Sequence, residues 1–130
     1  MVENLALLIK TDDLGNVEWR RTYADTESYW GMDVVQTSDN GYLITGKRAP
    51  GINALTINPD KNNNNAFLLK TERNSVVEWN KTYGGASDDT GLSAIDVGSS
   101  FLFAGTTGSG LDTRGLLVKT DGGGNRLYPM

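Results

Sequence analysis

The sequence predicts an all-β protein built from repeated antiparallel units, and three observations predict it. One stretch occurs twice almost intact and a third time cut short, as residues 7–23 (LLIKTDDLGNVEWRRTY), 67–83 (FLLKTERNSVVEWNKTY) and 116–130 (LLVKTDGGGNRLYPM). Aligning Lys10 with Lys70 and Lys119, and Trp19 with Trp79 and Tyr128, gives register shifts of about 60 and then about 49 residues, a period of stacked or radial repeats. Short apolar runs alternate with turns rich in Gly, Asn and Asp, and no segment has a helical period.

The elements follow in order. Residues 5–11 are apolar on both alternating faces, Leu5, Leu7 and Ile9 on one and Ala6 and Leu8 on the other, which predicts an interior strand covered by layers on both sides. Residues 12–16 (DDLGN) supply a tight reversal, because Asp and Asn bond back to the backbone and Gly15 tolerates positive φ. The return strand, 17–23, places Val17, Trp19, Arg21 and Tyr23 on one face and Glu18, Arg20 and Thr22 on the other, the pattern of a half-exposed strand at a sheet edge. A polar connection over 24–29 leads to a third strand over 30–37, a turn at 38–41 whose Asn-Gly pair is a strong hairpin signal, and a fourth strand over 42–46.

Residues 47–65, with Pro50, Gly51, Pro59 and an Asn run, read as a long surface loop, about nine or ten residues longer than its counterpart at 106–115. Loops of that length are functional or disordered more often than short ones. The second copy repeats the order: strand 67–71, turn 72–75, strand 76–83, linker 84–90 (GGASDDT), strand 91–97, turn 98–100 and strand 101–106. Gly31 then matches Gly91 and Gly46 matches Gly105, with one residue lost in the second turn. Four short strands per period, joined by tight turns and one longer linker, describe the antiparallel four-stranded blade of a β-propeller.

The assembled pattern, LLxKTDxxGNxxW…TYGG…D…T-SDNGY-xxxG, resembles the propeller repeats of a large group of mostly uncharacterised archaeal and bacterial proteins, often secreted or surface-exposed. The resemblance covers the chain outside 47–65. The pattern also looks like a shortened tryptophan-docking motif of quinoprotein propellers, in which an Asp, a turn Gly and a Trp tie adjacent blades together. Asp12, Gly15 and Trp19 match those types, while the second copy has Glu72 and Ser75 in place of the Asp and Gly. By that resemblance the KT strand is third in a blade and the Trp strand is the outermost fourth. The single segment 1–130 then divides into a half blade at 5–23, a blade at 30–83 with its loop at 47–65, and a weaker blade at 91–128. About two and a half blades make a partial or open arc. Closure needs about four blades at least, so the expected partners are further blades or other copies of the chain.

Composition narrows the chemistry. Twelve basic against 16 acidic side chains leave a formal charge of −4, and no basic cluster accompanies an aromatic platform, so no nucleic acid is expected. Without cysteine or histidine there is no disulfide, thiol catalysis, Cys/His zinc site or imidazole acid–base chemistry. No apolar run approaches the roughly 20 residues that span a bilayer, and no signal-type segment opens the chain. A soluble chain with no membrane partner is expected, its compartment open.

Candidate sites are each set against a structural role. Trp19, Trp79, Tyr23 and Tyr83 suggest an aromatic platform, but their repetition favours packing between blades. Asp88 and Asp89, with Asp25 and Glu27 in the equivalent linker, form the best carboxylate groups, and a rim carrying them with Trp30, Arg48 and Asp60 suits a cation, a sugar or a protein ligand. Asp before Gly in a linker more often caps backbone N–H groups, and the calcium-loop pattern is absent. The glycines at 122–124 open no helix and read as a turn, not a phosphate cradle. Asn80-Lys81-Thr82 fits a glycosylation acceptor inside a predicted strand. No catalytic residue and no cofactor are expected: the reading is a non-catalytic scaffold or interaction module, with a propeller-enzyme fragment (quinoprotein-like or carbohydrate-active) or a lectin-like binder as alternatives.

Overall fold

A computed structural model describes residues 5–23, 27–49, 64–84, 88–108 and 110–127. These form nine strands: β1 (Ala6–Thr11), β2 (Val17–Tyr23), β3 (Ser28–Gln36), β4 (Tyr42–Ala49), β5 (Asn65–Thr71), β6 (Val77–Tyr83), β7 (Asp89–Asp96), β8 (Ser100–Thr107) and β9 (Arg114–Asp121). A 3₁₀ turn, Gly110–Asp112, precedes β9. Among the described residues no helix is long and apolar enough to cross a membrane.

The strands pair antiparallel in chain order into three sheets: β1-β2, then β3-β4-β5-β6, then β7-β8-β9. Where a fourth strand would return on β9, the Leu127 N–H donates to the Lys119 carbonyl (2.9 Å) and Thr120 bridges Arg126. Tyr128, aligned above with the tryptophans, lies outside the described residues.

The middle sheet is covered on both sides. On one side Phe67 and Leu69 of β5, with Tyr29 and Ile44, cluster with Ala6, Leu8 and Tyr23 of the first sheet. On the other, Ala66 and Leu68 of β5, with Leu43 and Tyr83, cluster with Ala94, Phe101, Phe103 and Val118 of the third. Period-two alternation thus sends successive β5 side chains to opposite neighbours. The same alternation in β1 is met on one face only. Ala6 and Leu8 are buried, but Leu7 is 49% and Ile9 46% exposed, so the expectation of an interior strand covered on both sides is corrected.

Strand boundaries also differ from the sequence reading. Strand β4 continues through Lys47, Arg48 and Ala49, and Arg48 pairs with Asn65 of β5, so both ends of the supposed 47–65 loop are ladder. The connections are shorter than the polar composition suggests, β3 starting at Ser28 and β7 at Asp89, because backbone pairing, not side-chain polarity, decides where a strand starts and stops. In the expected turn over residues 38–41, Asn40 (φ 70°) takes the left-handed conformation.

Four hairpin turns share one geometry. At 12–16, 37–41, 72–76 and 121–125 the first residue's N–H donates to the fifth residue's carbonyl, and the fourth residue's N–H donates back to the first residue's carbonyl. The fourth position, Gly15, Asn40, Ser75 or Gly124, always has positive φ. Asp12 and Asp121 complete their turns by accepting backbone N–H groups on Oδ1, from Leu14 and Asn16 and from Gly123 and Asn125. The matched glycines have a separate cause. A β-carbon on Gly46 would lie 1.9 Å from the Trp30 carbonyl oxygen, and one on Gly105 1.8 Å from that of Thr90, because the β3–β4 and β7–β8 ladders slip by one residue there.

Candidate functional site

The residues that repeat make the joints between sheets. Tyr23 donates its hydroxyl to the Ser75 carbonyl (2.8 Å), and Tyr83 donates its own to the Gly124 carbonyl, so each outer strand reaches the next sheet's turn at the same left-handed residue. Burial raises the pKa of both hydroxyls, which stay protonated donors. The Trp79 indole N–H donates to the Gly122 carbonyl (3.2 Å), its ring meets Phe101 at 6.2 Å between centroids, and a β-carbon on Gly124 would sit 2.6 Å from that ring. In the preceding copy Trp19 meets Tyr42 edge-on at 5.8 Å and Arg21 Nε donates to Ser75 Oγ at 2.6 Å. The tryptophans therefore pack between sheets rather than open a platform to solvent.

The lysines of the repeat are less alike. Lys70 Nζ is held by both Asp39 carboxylate oxygens (3.0 and 3.1 Å), by the Thr71 carbonyl (2.9 Å) and by Glu78 (3.4 Å). Hydrogen bonds from Thr37 and Lys70, with the Gly41 N–H, hold the Asp39 carboxyl down at about 2. Lys10 pairs with Glu18 at 2.6 Å on an exposed surface. The Lys70–Asp39 pair was missed in the sequence, although an acid in one turn and a lysine recurring at the end of the next strand was the available signal.

The strand ends gather the expected rim residues at one end of the sheets, as Ser28 pairs with Ala49, Arg48 with Asn65 and Asp89 with Thr107. They do not converge on one point. Arg48 pairs with Glu27 at 2.6 Å and lies 4.8 Å over the Tyr29 ring. It also lines a cleft of about 620 Å³ between the second and third sheets, with Asn80, Lys81, Asn125 and Arg126. Trp30, with Lys47 5.0 Å above its ring, lines a different cleft, of about 540 Å³, between the first and second sheets. Asp88 accepts the Asn64 N–H on Oδ1 (2.9 Å), and its carbonyl accepts the Gly108 N–H. Asp89 is buried, donates its backbone N–H to the Asn64 carbonyl (2.9 Å) and turns its carboxylate toward Gly84. The acids at 88 and 89 thus fasten the third sheet to the second, and no group of three or more acids able to hold a metal forms among the described residues. Asp25 and Asp60 lie outside the described residues.

Asn80 donates its side-chain amide to the Tyr29 hydroxyl (2.9 Å), and its Oδ1 is buried with no partner among the described residues. That amide nitrogen is engaged inside a strand, which argues against use as a glycan acceptor. The 540 Å³ cleft was not anticipated. Leu5, Leu7 and Leu8 wall it on one side, and Tyr29, Met32, Val34 and Ile44 on the other, beside the free edge of β1. Compared with known proteins, the chain matches no protein-family model and no curated protein.

Proposed function

We propose that the chain is a segment of a β-propeller, with sheets β1-β2, β3-β4-β5-β6 and β7-β8-β9 as successive blades, and that it works as a non-catalytic scaffold and interaction module. One observation carries the reading: the tyrosine joint recurs, Tyr23 on Ser75 and Tyr83 on Gly124, and links each sheet to the next in the same sense. A joint repeated in one sense generates a regular array, and a four-stranded antiparallel meander with its last strand outermost is the unit of a radial one. The repeated Lys, Trp and Tyr residues act in packing and ion pairing, which supports a structural role over a chemical one.

An experimental structure of the assembled protein tests the geometry. Adjacent sheets related by one constant rotation about a common axis, with β3 and β7 innermost, are expected; sheets stacked as a flat sandwich would reject the propeller. Titration with pyrroloquinoline quinone and Ca²⁺, followed by absorption spectroscopy, tests the non-catalytic reading. No saturable spectral change is expected, and a saturable one would replace the scaffold with a quinoprotein-like enzyme segment.

A further inference from the structure

The joint between sheets occurs twice, and its two clefts differ in charge. Between β2 and the turn after β5, a cleft of about 430 Å³ is lined by Arg21, Thr22, Tyr23, Val76 and Val77. One unit further on, between β6 and the turn after β9, the 620 Å³ cleft has Lys81, Thr82 and Tyr83 at the first three positions and Asn125 and Arg126 at the last two. Two valines in one cleft are thus an amide and a guanidinium in the other. The first cleft stays open although β6 completes the sheet on its far side, so a fourth strand beside β9 would not close the second.

Two cations of the second cleft lack acidic partners. Lys81 Nζ lies 5.9 Å over the Trp79 ring and donates to Asn125 Oδ1 (2.8 Å), and the Arg126 guanidinium lies 5.9 Å over the Tyr83 ring. Among the described residues neither has a carboxylate within ion-pair reach. Asp121, the acid of the adjoining turn, accepts the Gly123 and Asn125 N–H groups on Oδ1 and the Asn125 side-chain amide on Oδ2. Arg48, a third cation of the lining, is paired with Glu27. In a chain of formal charge −4, two like charges held in one cleft without a counter-ion attract an anion.

The rest of the lining selects the kind of anion. The outer edge of β6 pairs with no strand among the described residues, and it presents unpaired N–H and C=O groups. Such an edge suits groups that both donate and accept, as hydroxyls do. Glu78 and Lys81 put charges along β6, which opposes the addition of a peptide strand. Tyr83, the aromatic residue of the lining, is buried and offers no face on which a nucleic-acid base could stack. We propose that this cleft binds an acidic sugar, a hydroxylated ligand of one or two rings that carries an oxyanion group. Lys81 and Arg126 hold the oxyanion, and the free edge of β6 takes the hydroxyls. The cleft's volume lies within the range of small-ligand sites. The inference gives the interaction role proposed above a ligand, and it rests on the recurring joint and not on radial closure.

The test titrates the full chain with glucuronate, glucose 6-phosphate, glucose, inorganic phosphate, a tetraglutamate peptide and a thymidine oligonucleotide, following backbone amide shifts by NMR. Glucuronate or glucose 6-phosphate should shift the amides of residues 80–84 and 124–126 saturably, with a dissociation constant on the order of 1 mM. The tighter of the two identifies the oxyanion as carboxylate or phosphate. Glucose should bind about tenfold more weakly, because it makes no charge-assisted hydrogen bond. Inorganic phosphate, without hydroxyls on a ring, should also bind more weakly. Lys81→Met and Arg126→Gln, each with an unchanged circular dichroism spectrum, should weaken the preferred sugar about tenfold, and Lys10→Met should leave its affinity unchanged. Absence of a saturable shift up to about 20 mM sugar overturns the proposal. So does glucose binding as tightly as the acidic sugars, or an affinity indifferent to both Lys81→Met and Arg126→Gln. Inorganic phosphate binding as tightly as either sugar would make the cleft a plain oxyanion site and overturn the sugar. Tighter binding of the peptide or of the oligonucleotide would replace the sugar with that ligand. A radial structure without sugar binding removes this inference alone; sugar binding by a flat sandwich removes the propeller alone.

Discussion

The hairpins β1–β2 and β5–β6 share their Lys-Thr strand end, their five-residue turn and their Trp-x-x-x-Tyr return, and the molecule treats them differently. In β5 every residue from Ala66 to Thr71 is buried, whereas in β1 burial alternates with exposure. The cause is position: β5 has β4 along its inner edge and a sheet on each face, while β1 has β2 alone and one covering sheet. In a repeat array each unit's stability comes largely from its neighbours, so equal sequence does not confer equal stability.

The largest difference is expected at the apolar pair. Leu69→Ala opens a cavity under full cover and should cost about 2 to 5 kcal/mol, whereas the matched Ile9→Ala should cost less than about 1 kcal/mol. Urea denaturation of the two variants measures both, and equal losses would show that β1 is covered in solution. The lysines come next. Lys70→Ala strips Asp39, Glu78 and the Thr71 carbonyl of their shared donor; since both acids keep access to water, we expect about 1 to 3 kcal/mol, not the full loss of a buried pair. Lys10→Ala removes an exposed pair and should leave the denaturation midpoint almost unchanged.

Much of the molecule was legible because its signals are local. Asp12, Gly15 and Asn16 announce their turn, and the alternation Val17, Trp19, Arg21, Tyr23 gives the edge strand and the face that meets the next sheet. The glycines at 31, 46, 91 and 105 gave the repeat register, and the backbone approach at Gly46 and Gly105 explains their recurrence. What stayed hidden depends on neighbours. Leu7 and Ile9 read like Phe67 and Leu69, and only the absent third-side contact exposes them. The acids at 88 and 89 look like ligands in a list of residues, yet the N–H of Asn64, which leads into the middle sheet, turns Asp88 into a tie between sheets. Trp30 and Arg48 share a rim but face different clefts, a separation that follows from strand alternation only once the extent of β4 is known.

The joints should show no such asymmetry. Tyr23→Phe and Tyr83→Phe each leave one backbone carbonyl without its donor, and each should cost about 1 to 2 kcal/mol. A loss confined to Tyr83→Phe would mean that the first sheet is not anchored to the second as the third is, and it would restrict the repeat to two units.

The smallest effect is set by pH. Asp39 has its folded-state pKa lowered to about 2 by Thr37, Lys70 and the Gly41 N–H, below the ordinary 3.8. A depressed carboxyl pKa means that the unfolded chain takes up the proton first, so the contribution of Asp39 is complete above about pH 4 and declines as pH falls toward about 2. The carboxylate is more than half exposed, so solvent screens it and the contribution is modest. Denaturation midpoints of the parent and of Asp39→Asn should therefore differ at pH 6 and draw together as pH falls through about 2. In Lys70→Met the low pKa should rise but stay below 3.8, because Thr37 and Gly41 still donate to Asp39 Oδ1. The matched Lys10→Met should leave this titration untouched: acid lability belongs to the hairpin that is complete and not to the one whose inner strands are open.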